Sequence, residues 1–63
     1  MNHEDIPQYR IREKPAAKYI GMSVPFLRLG RMRGDGPPYL KIGRAVRYDV
    51  RDLDRWLESR RVE

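Results

Sequence analysis

Gly34-Asp35-Gly36-Pro37-Pro38 cannot be helical, because Gly34 suits the closing position of a helix and the paired prolines force an extended path. This break near the middle of a 63-residue chain separates two kinds of pattern. Before it, apolar residues recur at helical spacing. After it, they alternate as in a strand and only later return to the helical period.

Ala16, Ala17 and Ile20, with Tyr19 beside them, predict a short helix from Glu13 or Lys14 to Ile20. Pro15 is acceptable in its first turn, where the missing N–H has no helical partner to lose. Gly21 stops the helix, and Met22 is expected to plug the core at the turn that follows. Ser23 is placed to cap a second helix, and Pro25 suits its opening residues. Helix, glycine, short turn, capping serine and second helix is the spacing of a helix-turn-helix. On the second helix Val24 and Leu27 share one face, leaving Pro25, Arg28 and Met32 on the other. Phe26 and Leu29 fall off that stripe, so either the helix is irregular or these side chains pack against the hairpin. Gly30 adds a cost of about 1 kcal/mol relative to alanine.

Beyond the break, Tyr39-Leu40-Lys41-Ile42 and Ala45-Val46-Arg47-Tyr48 flank Gly43-Arg44, a two-residue tight turn with glycine first. Asp49 resembles a helix cap, and Val50, Leu53, Trp56 and Leu57 trace an amphipathic third helix with Trp56 as its largest buried surface. Tyr9-Arg10-Ile11 permits a short strand. The fold class expected is therefore mainly α with a small β-hairpin. Residues 1–8 read as a flexible lead, 9–60 as one domain and 61–63 as a tail.

Charge placement carries the functional signal. Arg28, Arg31, Arg33, Lys41, Arg44 and Arg47 are cationic, and the only acid between the first and last of them is Asp35. The acids gather instead at Glu4 and Asp5 and from Asp49 to Glu58. With a formal net charge of +5 and a pI of about 10.1, this points to an acidic polymer or an anionic membrane surface as partner, and the mixed charges on the polar face of the last helix disfavour the membrane. Arg44 at the hairpin tip can reach a phosphate or the floor of a minor groove, where negative potential attracts arginine; the alternative is a solubilising turn residue.

Other classes are disfavoured. There are no cysteines, so neither disulfides nor thiolate zinc ligands are available, and the single histidine, His3, has nothing with which to build a metal site. No paired carboxylates, nucleophile with base, or phosphate-cradling glycine loop is evident, so neither an enzyme nor a cofactor is expected. No apolar run approaches the roughly 20 residues of a membrane span, and the N-terminus shows no secretion signal. A cytoplasmic location and no membrane partner are expected. A protein-interaction module using the basic face for an acidic partner remains the competing class, and its binding would depend only weakly on salt.

The run KPAAKYIGMSVPFLRLGRMRGDGPPYLKIGRAVRYDVRDLDRWLESR resembles the winged helix-turn-helix domain of phage excisionases and AlpA-like regulators, a relative of the MerR-type DNA-binding domain. The likeness covers residues 9 to 60, and GDGPPYLKIGRAVRY with DLDRWL is its most specific part. It implies three helices and a two-stranded wing, with the second helix in the major groove and the wing in the adjacent minor groove of double-stranded DNA. By position it implies a recognition set of Ser23, Pro25, Phe26, Arg28, Arg31 and Arg33 and a wing set of Lys41, Arg44 and Arg47. It further implies DNA bending, side-by-side binding of copies, and either the steering of a site-specific integrase toward excision or the regulation of transcription.

Overall fold

The computed structural model describes residues 9–62. The expectations for the lead and His3, and for Glu63 in the tail, lie outside the described residues. The elements are β1 (Arg10–Ile11), α1 (Glu13–Ile20), α2 (Val24–Arg33), β2 (Leu40–Ile42), β3 (Ala45–Asp49) and α3 (Val50–Ser59). Three helices and a small antiparallel sheet make a winged helix-turn-helix.

The α1–α2 turn is closed by backbone alone. Gly21 is left-handed at φ 73°, and Gly21 and Met22 donate to the Lys18 and Ala17 carbonyls at 3.1 and 2.8 Å. These are the paired bonds of a Schellman ending. Met22 is exposed, not the expected core plug; with both N–H groups holding the turn, its side chain is not needed to do so. Ser23 caps α2 by accepting the Phe26 N–H at 3.2 Å.

The hairpin forms at the expected register, with Leu40 opposite Arg47, Lys41 opposite Val46 and Ile42 opposite Ala45. Gly43 takes the positive φ of 62° that the two-residue turn requires. The short strand permitted at residues 9–11 forms over Arg10 and Ile11. It pairs with β3, Ile11 opposite Tyr48, so β3 is the centre of the sheet and connects α1's entrance to the wing.

Ala16, Ala17, Leu27, Tyr48 and Leu53 are fully buried, one or two from each helix and one from β3. Ile11, Ile20, Val24, Phe26 and Val46 pack around them. Alternation along β3 explains Tyr48: Val46 and Tyr48 point inward while Ala45 and Arg47 face the other side. Leu53 anchors α3. Trp56, expected as that helix's largest buried surface, is only partly covered and meets Phe26 edge-on, ring centroids 6.3 Å apart. Phe26 therefore packs on α3, and α2 is a regular α-helix from Val24 to Arg33. The choice left open between an irregular helix and packing on the hairpin is answered by a third arrangement.

Asp49 caps α3, its carboxylate accepting the Arg51 N–H at 2.9 Å and the Arg51 guanidinium at 3.0 and 2.7 Å. The Arg51 side chain and then its backbone N–H hold the Asp49 carboxyl down at about 2, from an ordinary 3.8. Because the folded value lies below the unfolded one, this stabilisation is complete above about pH 4 and is lost as pH falls through about 2. Wild-type melting temperature should therefore drop between those limits more steeply than that of Asp49→Asn, which keeps a capping oxygen but does not titrate. Parallel acid limbs in thermal melts of the two proteins would contradict this.

Candidate nucleic-acid interface

The face between α2 and the wing is a cleft of about 520 Å³ lined by Arg12, Glu13, Arg28, Arg31, Arg44, Ala45, Val46 and Arg47. Five arginines and one carboxylate share its lining, and two of the arginines, Arg28 and Arg31, pair with that carboxylate. Each arrives by a separate local rule. Arg12 is the residue that precedes α1 in extended conformation. Arg28 and Arg31 are three apart on α2, so about one turn separates them on the same face. Arg44 stands in the tight turn, and Arg47 lies one position off the inward-facing register of β3.

Glu13, the first residue of α1, organises the helix side of the cleft. Its Oε1 accepts Arg28 Nη2 at 2.6 Å and its Oε2 accepts Arg28 Nε at 3.3 Å. Oε2 also accepts Arg31 Nη2 at 3.1 Å. The Arg28 hydrogen bonds, with those of Arg31, hold the Glu13 carboxyl below the usual carboxylate range despite partial desolvation. Glu13 in turn raises Arg28 above its ordinary value.

The two arginines differ in freedom. Arg31 donates a further bond from Nη1 to the buried Tyr48 hydroxyl at 2.8 Å and lies over the Tyr39 ring at 5.8 Å. Its side chain is 18% exposed, whereas that of Arg28 is 64% exposed. Arg31 thus locks α2 to α1 and to the wing. Arg28 stands in solvent with one partner.

On the wing, Arg47 Nη1 donates to the Val46 carbonyl at 2.8 Å, and no carboxylate pairs with Arg12, Lys41, Arg44 or Arg47 among the described residues. Lys41 is exposed on β2. Ser23 and Pro25 sit at the α2 N-terminus, where the free N–H groups of a helix favour an anion. Phe26 and Arg33 lie elsewhere: with Leu29, Gly30, Trp56 and Arg60 they line a second cleft of about 330 Å³ between α2 and α3. At roughly 100° per residue, positions 26, 29, 30 and 33 fall on the opposite side of α2 from 28 and 31.

The structure brings Arg28, Arg31, Arg44 and Arg47 together and separates Phe26 and Arg33 from them. Sequence reasoning missed Arg12 and Glu13. The available signal was the alternation Arg10-Ile11-Arg12, which directs both arginines away from the core side of β1. Its meaning depends on β1 joining β3. Among the described residues no group of histidine, cysteine or acidic side chains is arranged to hold a metal ion, and no helix is long and apolar enough to cross a membrane.

The family model described as a helix-turn-helix domain matches residues 14–61, which takes in α1 from its second residue, α2, the wing and α3. No curated protein matches the chain.

Proposed function

The chain belongs to the helix-turn-helix domain family, and we propose on that premise that it is a sequence-specific double-stranded DNA-binding protein whose binding unit is residues 9–60. The observation that carries this reading is the five-arginine cleft between α2 and the wing. In a duplex a single phosphate strand separates the major groove, wide enough for a helix, from the narrower minor groove. A helix in one groove and a hairpin tip in the other straddle that strand, and the cleft between them faces its phosphates.

Roles follow from geometry. Arg12 and Arg47 neutralise phosphates along the cleft, the exposed Lys41 does so from β2, and Arg44 at the hairpin tip contacts a phosphate where the wing meets the minor groove. Arg28, exposed and forked, reads a base edge such as guanine O6 and N7, with Ser23 and Pro25 beside it at the helix start. Arg31 positions α2. Phe26 and Arg33, on the far side, are given no base contact in this reading.

The finer role we propose is that of an excisionase, which bends its site and steers a site-specific integrase; the resemblance of GDGPPYLKIGRAVRY and DLDRWL supports it, and the absence of evident chemistry in the sequence agrees with an architectural mechanism. Regulation of transcription by the same docking is the second reading, favoured by the same residues. Integrase-dependent excision in a reconstituted reaction, with and without the protein, separates the two.

DNA binding itself is tested by mobility-shift titration of a duplex enriched from a randomised pool, against random competitor. Binding insensitive to salt, with no enriched sequence, sinks the reading. Within it, Arg44→Ala should weaken binding to every duplex alike and reduce the slope of log K against log salt by about 0.9, the release expected for one phosphate contact. Its melting temperature should not move, since the side chain is exposed in the turn.

A further inference from the structure

We propose that Glu13 is a specificity-determining residue, an internal carboxylate that competes with DNA phosphate for Arg28 and so suppresses binding to the wrong sequence. The inference rests on the DNA-binding reading above. A carboxylate forked onto a guanidinium offers the same chemistry as a phosphate: two anionic oxygens against two N–H donors. Glu13 already occupies Arg28 in that way, through Nη2 at 2.6 Å and Nε at 3.3 Å. A phosphate on random DNA must displace this partner to gain Arg28, and the exchange replaces one charge-assisted pair with another for little net gain.

A base edge changes the balance. Guanine O6 and N7 accept the same two donors deep in the major groove. Arg28 can leave Glu13 for them because it is 64% exposed and has no other partner among the described residues. Glu13 does not then become an orphan. It retains Arg31, which is fixed by Tyr48 at 2.8 Å and stays within 3.1 Å of the carboxylate. The second arginine lets the carboxylate release the first without leaving a charge unpaired, a requirement wherever an ion pair lies in a partly covered cleft.

The carboxylate also stands among five arginines, where it is poorly placed for any purpose that only attracts polyanion. Its removal would make the cleft more basic and sequence-independent affinity higher. Retaining it sacrifices raw affinity for discrimination, which is a difference between two affinities and is raised as effectively by weakening the wrong complex as by strengthening the right one.

Glu13→Gln tests the inference, with the enriched duplex and a random duplex titrated over roughly 50–200 mM salt. The random duplex should bind the variant about three- to tenfold more tightly, with a salt slope steeper by about 0.9. The enriched duplex should gain less, so the ratio of the two affinities falls. The same substitution in an Arg28→Gln background should leave the slope on random DNA unchanged. Persisting steepening in that background would show a long-range charge effect and overturn the proposal. So would an equal gain on both duplexes, or no gain. Circular-dichroism melts establish that each variant is folded at the titration temperature. Failure of the wild type to discriminate would instead count against the DNA-binding reading.

Discussion

Gly30→Ala is expected to lower the melting temperature by roughly 10 °C, equivalent to about 2 kcal/mol for a domain of this size, even though alanine is the better helix former by about 1 kcal/mol. The backbone of Gly30 is ordinary helix, so conformational freedom is not what the position requires. Space is. A Cβ there would lie 2.8 Å from Gly36 Cα and 3.3 Å from Gly36 N, and one on Gly36 would lie 2.9 Å from Gly30 Cα. Both neighbours are backbone and cannot rotate away. The loop is also tied to this point, because Gly34, Asp35 and Gly36 all direct their N–H groups to the Gly30 carbonyl, at 2.8, 3.2 and 3.3 Å. Moving the loop to admit a methyl group stretches these bonds and shifts the start of the wing. Gly36→Ala should do similar damage, and the double variant should be less destabilised than the sum, since one displacement relieves both clashes. Thermal melts decide it: a Gly30→Ala protein as stable as wild type would show that the loop yields freely.

Arg31→Ala is the second large effect, about 3 kcal/mol of stability lost. The substitution leaves the Tyr48 hydroxyl, on a side chain with 0% exposure, without its donor, and an unsatisfied buried polar group costs roughly 1–3 kcal/mol. It also removes one of the two arginines on Glu13 and the cation over Tyr39. Arg28→Ala, three residues away, removes an exposed, solvent-screened ion pair and should leave stability close to that of the wild type. Arg31→Lys should recover only part of the loss, because one ammonium cannot span both Glu13 and Tyr48 as a planar fork does. Urea denaturation measures all three. An Arg31→Ala protein with wild-type stability but weakened DNA binding would reassign Arg31 from holding the helix to touching DNA.

These two positions show where a one-dimensional reading stops. Gly30 reads as a flaw in a helix because the residue that needs its missing side chain, Gly36, lies beyond the helix end in a loop with no periodicity. Arg31 reads as one more cation on a basic face because its partners are 18 residues back at Glu13 and 17 ahead at Tyr48. Glu13 drew no notice for the same reason. Met22 is the converse case: its apolar character suggests burial, but the Schellman bonds close the turn without its side chain.

Local rules were sufficient wherever the deciding interaction spans a few residues. Gly21 and Gly34 end helices, Ser23 and Asp49 begin them, and Gly43 turns the hairpin, because each acts on backbone groups within one turn of itself. Element order, hairpin register and the accumulation of positive charge were therefore legible in the 63 letters alone. Which arginines face one another was not. That depends on β1 pairing with β3 and on α2 seating against α1, long-range contacts that place Arg12 beside the wing and turn Phe26 and Arg33 toward α3. Charge is a property of composition, whereas a cleft is a property of packing, and only the folded chain sorts its cations into those that hold the structure and those that remain open to solvent.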